Sequence, residues 1–163
     1  IEGLNAVNSV SFISDKITID GDVDVMSGKF HAVVGENVVI TYDNNQLIQF
    51  DITEAISTSE PNGSIHVTAN GQIISQDVNL RSRVIDPYSL AVNNQGLIRA
   101  TGLDTSSPGV IRLVGQGGKV NINGNLESVK DLVGKPTFSL ILVVKSRSSS
   151  KEISSISNGT SPE

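Results

Sequence analysis

Asp20, Asp22 and Asp24 place three carboxylates within five residues, the densest set of hard oxygen donors in the chain and the one that could in principle hold a cation. Neither the ligand order of an EF-hand nor a Gly-Gly-x-Gly-x-Asp calcium repeat accompanies them. If Ile17, Ile19, Val23 and Val25 point inward, a period of two sends all three Asp side chains outward along one face. The set therefore reads as a hydrated acidic stripe and not as a metal site. His31 and His66 are the only two histidines, and each lies between apolar neighbours, Phe30 and Ala32 in one case, Ile65 and Val67 in the other. Alternation sets both on the outer surface, far apart in sequence, which supplies neither a metal pair nor a catalytic dyad.

Arg81, Arg83, Arg99 and Arg112 could line one outer face, with Asp77 and Asp86 near the first two. Clustered acids beside basic side chains are what an enzyme cleaving acidic polysaccharides would need. Single outward charges are equally what any soluble β surface requires, and that plainer reading is preferred. No Gly-x-Ser-x-Gly elbow activates any of the serines. Gly115-Gln-Gly-Gly-Lys119 has the glycines of a phosphate loop, but Leu113 and Val120 stand where that motif requires Gly and Ser or Thr, so it reads as a turn. No catalytic, cofactor-binding or metal-ligating residue is assigned, no cofactor is expected, and the chain is read as non-enzymatic.

The elements that carry these residues are short. Ile17-Thr-Ile19, Val23-Asp-Val25, Val38-Val-Ile40, Ile48-Gln-Phe50, Ile65-His-Val67, Val78-Asn-Leu80, Leu90-Ala-Val92, Ile111-Arg-Leu113 and Val120-Asn-Ile122 are apolar-x-apolar units, and nowhere does an i, i+3, i+4 pattern persist over several turns. The chain is all-β. Asp20-Gly21, Asn70-Gly71, Asn94-Gln-Gly96, Gly117-Gly118 and Asn123-Gly124 place residues tolerant of left-handed backbone between the strands. The units recur at roughly 20 residues, the kind of period seen in stacked repeats. That spacing predicts a parallel β-helix with coils of about 20 residues over 1–126, with Ile19 over or near Ile40 and Val92 near Leu113. A β-sandwich built from two-residue hairpins at the Asn-Gly pairs is the alternative.

Residues 127–163 break the pattern. The apolar run inside Pro136–Val144 predicts one atypical strand within 127–145 that covers the end of the stack near Val120 and Ile122. The Ser-rich stretch 146–163 lacks the apolar content to offset the entropy of ordering, and it predicts a disordered tail.

Of the 163 residues, 37% are hydrophobic but only 4% aromatic, with no Trp, so the core must be built from Val, Ile and Leu. The absence of Cys excludes a disulfide scaffold and thiolate zinc sites. A net charge of −5 argues against nucleic acid or an anionic membrane as the main partner, because both reward Lys and Arg. The longest apolar run, Leu140–Val144, falls far short of the ~20 residues that span a bilayer. The first residues, Ile1-Glu2-Gly3-Leu4-Asn5, carry neither the basic start nor the apolar stretch of a signal peptide, and the chain is read as an internal fragment.

Three stretches, Asn93–Gly102, Gly109–Gly115 and Lys119–Gly124, resemble the exoproteins of two-partner secretion, the filamentous haemagglutinins, adhesins and haemolysins of Gram-negative bacteria. Val10–Gly21 and Phe30–Val39 are similar to the later coils of that family's secretion domain. The likeness spans roughly residues 5–126 and is one of texture, repeat length and phrase order. The family's Asn-Pro-Asn motif is missing; Pro61-Asn62-Gly63 follows Glu60 and reads as a turn. The resemblance implies a right-handed parallel β-helix, exported through a dedicated outer-membrane transporter and released or held at the bacterial cell surface. It further implies a non-enzymatic adhesin scaffold facing a host-cell or bacterial-surface ligand. The scaffold of a haemolysin or toxin is the alternative within the family, and a polysaccharide lyase or hydrolase is the alternative outside it.

Overall fold

The computed structural model describes residues 9–42, 48–102, 108–130 and 142–145. Within them the chain is all-β, with no helix. No helix is therefore long and apolar enough to cross a membrane among the described residues. The strands are β1 (Ser9–Ser14), β2 (Ile17–Ile19), β3 (Asp22–Val34), β4 (Asn37–Tyr42), β5 (Ile48–Glu54), β6 (Ile65–Val67) and β7 (Gln72–Arg83). After these come β8 (Leu90–Asn94), β9 (Leu97–Thr101), β10 (Val110–Gln116), β11 (Lys119–Ile122), β12 (Asn125–Val129) and β13 (Leu142–Lys145).

Pairing is parallel in all but one case among the described residues. One sheet runs β1-β3-β7-β10-β13, with β9 joined to β7 and β12 to β9. A second runs β11-β8-β6-β2. The exception is the antiparallel pair β4-β5. A β-sandwich of consecutive hairpins is incompatible with this pairing.

Registers explain why alternation buries what it does. Val10, Phe30, Val78 and Ile111 lie opposite one another across β1, β3, β7 and β10, and Phe12, Ala32, Leu80 and Leu113 form the next inward row. Ala32 leaves room beside Phe12, whose ring meets that of Phe30 edge-on at 5.5 Å. On another side Val23, Ile73, Ile98 and Leu126 align, and on the second sheet Ile65, Val92 and Val120 align. All of these rows meet in one apolar cluster. Fully burying a side chain such as Leu80 stabilises the fold by ~1.5–3 kcal/mol.

Two inward serines reach carbonyls of neighbouring segments, while the inward Ser82 has no partner among the described residues. Ser75, in register with Val25, has its hydroxyl 2.7 Å from the Gly28 carbonyl and 2.9 Å from that of Asp77, its one proton shared between them. Ser128, in register with Ala100, donates to Gly109 at 2.6 Å. Each hydroxyl supplies a donor to these carbonyls. The turn expected at Pro61-Asn62-Gly63 is present, closed by Gly63 N–H donating to Glu60 O at 3.0 Å with Gly63 at φ 99°.

Several registers differ from the spacing argument. Ser9 lies opposite Lys29, but Lys29 lies opposite Asp77 and Asp77 opposite Val110, so a step of about 20 residues holds only once in this row. Ile19 lies opposite Val67, whereas Ile40 faces Phe50 across the antiparallel pair. Val92 lies between Ile65 and Val120, while Leu113 lies beside Leu80. The β4-β5 excursion accounts for Ile40, since two apolar-x-apolar units that pair with each other drop out of the stack, whereas Val92 misses Leu113 because the later steps are themselves longer than 20 residues: 27 from Ile65 to Val92, 28 from Val92 to Val120 and 33 from Val78 to Ile111. β12 pairs with β9 as far as Val129. The apolar strand β13 pairs with Ile111–Val114, not beside Val120 and Ile122. Phe138 and the tail 146–163 lie outside the described residues.

Candidate functional site

The acidic stripe is placed as alternation demands. Ile17, Ile19, Val23 and Val25 are buried, Asp20 and Asp22 exposed, and Asp24 half-buried. The Thr68 hydroxyl donates to Asp20, while Asp22 and Asp24 lie opposite Gln72 and Ile74. No group of three or more His, Asp or Glu side chains is arranged to hold a metal among the described residues.

His66 sits on the outer face of β6, its Nε2 3.4 Å from Gln95 Oε1. Beside it in register, Asn121 Nδ2 donates to Asn93 Oδ1 at 2.9 Å, and Asn93 Nδ2 donates to the Asn62 carbonyl at 2.9 Å. These amides satisfy one another and leave no convergent set of free donors.

The outer surface is interrupted by the β4-β5 hairpin. Alternation puts Val38, Ile40, Tyr42, Ile48, Phe50 and Ile52 on one of its faces. Phe50 and Ile52 pack with the outward side chain of Val33 into a second small core, with Val38 at its border. Gly35 opens the excursion where a Cβ would run into the Ile52 side chain. Arg81 donates to Phe50 O at 2.9 Å, and Arg83 to Ile52 O at 2.8 Å and Thr53 O at 3.2 Å. His31, expected on an open surface, is on the outer face but half-buried beneath this hairpin, its ring 5.3 Å from that of Phe50. Burial and the nearby Lys29 charge hold its pKa below 6.5.

Beyond the small core the same apolar face continues into solvent, with Ile40 45% and Tyr42 72% exposed and Ile48 beside them. Exposed apolar side chains gathered on one face make this hairpin a candidate contact site, although Ile13, Ile85 and Tyr88 are exposed elsewhere.

The four arginines do not converge on the two aspartates. Arg81 and Arg83 hold the hairpin, Arg99 pairs with Glu127 at 2.7 Å, and Arg112 is exposed. Asp77 lies 3.9 Å from Lys29 and accepts from the Val110 N–H at 3.2 Å. Asp86 closes its own loop, accepting from the Tyr88 N–H and the Ser89 hydroxyl, each at 2.9 Å. The glycine run is a turn between β10 and β11, with Gly117 at φ 82° packed on the Val84 carbonyl and the Lys119 ammonium 5.4 Å above the Tyr88 ring.

Sequence reasoning missed the hairpin and the arginines that seat it. The signal was there: Asp43-Asn44-Asn45 separates two alternating apolar stretches, a hairpin pattern. No family model matches the chain, and neither a curated protein nor a solved structure matches it.

Proposed function

We propose that this chain is a non-enzymatic, right-handed β-helical scaffold of a secreted or surface-exposed bacterial adhesin of the filamentous haemagglutinin type, exported by an outer-membrane transporter. The observation that carries the reading is the succession of parallel registers through β1, β3, β7 and β10, with a single hairpin laid on the outside and ending in exposed Ile40 and Tyr42. A stack of parallel strands is a rigid spacer, and an apolar projection on it is a place to meet a surface ligand. Three of the four arginines that a polysaccharide-cleaving face would draw on, Arg81, Arg83 and Arg99, are committed to Phe50, Ile52, Thr53 and Glu127 instead, which supports a binding role.

The test is binding of fluorescently labelled protein to cultured epithelial cells and to bacterial cells, beside a double variant Ile40→Ser, Tyr42→Ser with an unchanged far-ultraviolet spectrum. Saturable binding that the variant loses supports the proposal. Absence of binding to either surface, or release of reducing sugar from acidic polysaccharides, overturns it.

A further inference from the structure

The β4-β5 hairpin rests on the outer face of β3 and β7 through a small set of contacts. Val33, Phe50 and Ile52 form its apolar seat, and Arg81 and Arg83 reach its carbonyls. Among the described residues its two strands pair only with each other. A two-stranded ribbon is marginal in water, so its order depends on that seat.

His31 lies within the seat. In register it stands between Ser11 and Asn79, and its ring tilts at 47° against Phe50. Its Nδ1 is buried without a hydrogen-bond partner, as is Asn79 Oδ1 on the neighbouring strand. We propose that the hairpin is seated only over a neutral His31, and that protonation of this imidazole in mildly acidic surroundings lifts β4-β5 off the sheet. The inference does not depend on what the hairpin contacts.

The electrostatics follow from the neighbours. An imidazolium half-buried under Phe50, with its Nδ1 shielded from water and unpartnered, would carry its charge with part of its hydration lost. On its own strand it would meet Lys29, and from β10 Arg112, with Asp77 on β7 as its acidic neighbour. Arg81, also on β7, is occupied by the Phe50 carbonyl. β1 contributes no charged residue, and among the described residues the hairpin's acids are Glu36 and Glu54 at its base and Asp51, which alternation turns to the face away from Phe50. A cation gains something from the face of an aromatic ring, but here it would do so between two other cations.

The sign is that of a histidine whose folded pKa is depressed: the unseated state binds more protons. Seating is strongest above the ordinary value of 6.5 and weakens as pH falls through it toward the lower folded value. Carboxylates titrate lower still, so the interval from about pH 7.5 to about pH 5 isolates histidine.

The experiment is amide hydrogen exchange across that interval, corrected for the intrinsic pH dependence of exchange. Protection of Val38–Tyr42 and Ile48–Ile52 is expected to fall several-fold in the unaltered protein, while Val78–Leu80 and Ile111–Leu113 keep theirs. His31→Phe, which retains ring packing on Phe50, and His31→Asn should each remove the pH response, and His66→Asn should preserve it. If His31→Asn fails to seat the hairpin at any pH, His31→Phe decides. A flat response in the unaltered protein, or the same fall in His31→Phe, overturns the proposal.

Discussion

Arg83 reaches from β7 to the Ile52 carbonyl oxygen at 2.8 Å and to that of Thr53 at 3.2 Å, so one guanidinium fastens the base of a hairpin whose strands otherwise pair with each other. Hydrogen bonds to a charged donor contribute about 1.5–3 kcal/mol when well shielded, and partial exposure reduces this. Arg83→Met, which keeps the aliphatic stem, is expected to weaken seating of residues 36–54 by about 1–2 kcal/mol. Limited proteolysis of that segment should accelerate. Arg112→Met, at an exposed position on β10, should change stability by no more than about 0.5 kcal/mol. Equal proteolysis of the two variants would refute the role given to Arg83.

Ile98 and Leu126 occupy the same inward row, but Ile98 is fully buried between Ile73 and Leu126, whereas Leu126 stands on the last strand of that row and is only partly covered. Ile98→Ala should cost about 2–5 kcal/mol in urea unfolding, because it leaves a cavity with neighbours on both sides. Leu126→Ala should cost about half of that or less, since the site is open and part of its surface is already in water. Similar losses would mean that Leu126 is covered by chain outside the described residues.

Asp86 is held below the ordinary carboxylate value of 3.8 by the Tyr88 N–H first and the Ser89 hydroxyl second. A depressed carboxyl stabilises its loop above the unfolded value, and that contribution is lost as pH falls through the folded one. Residues Ile85–Ser89 should therefore loosen only below about pH 4, well under the interval assigned to His31. Amide exchange at Tyr88 is the measurement. Asp86→Asn should make it independent of pH in that range, and loosening that begins near neutrality would contradict the assignment.

Asp20 and Asp22 are exposed, Asp20 engaged by Thr68, and Asp24 is half-buried with its Oδ1 unpartnered among the described residues. Calorimetric titration with calcium should find no site tighter than about 10⁻⁵ M. A tighter saturable signal that disappears in Asp22→Asn would require a cation site after all.

Through β2 and the start of β3 the side on which a residue falls was legible in the sequence, whereas Ile40 and Ile48, from apolar units of the same kind, are exposed. Ile17 and Ile19 are buried and Asp20 and Asp22 exposed because a strand turns alternate side chains to opposite faces whatever it pairs with. Turns at Asn62-Gly63 and Gly117-Gly118 were legible for a similar reason, since left-handed backbone is a local demand. The inward Ser75 and Ser128 were not, because the carbonyls they reach, on Gly28 and Gly109, lie on segments that only folding brings beside them.

Partner strands were decided by the tertiary structure. Loop closure grows costly only slowly with length, so a uniform spacing of apolar units does not fix which unit each one meets. Ile40 therefore pairs with Phe50 while Ile19 pairs with Val67. The same holds for the candidate sites. Alternation placed His31 on an outer face, and Arg81 and Arg83 were read as able to line one. Only the hairpin folded over that face made two of them hydrogen-bond donors to its carbonyls and left the third half-buried against Phe50, because contacts between outward side chains and a distant segment arise from packing and leave no period in the sequence.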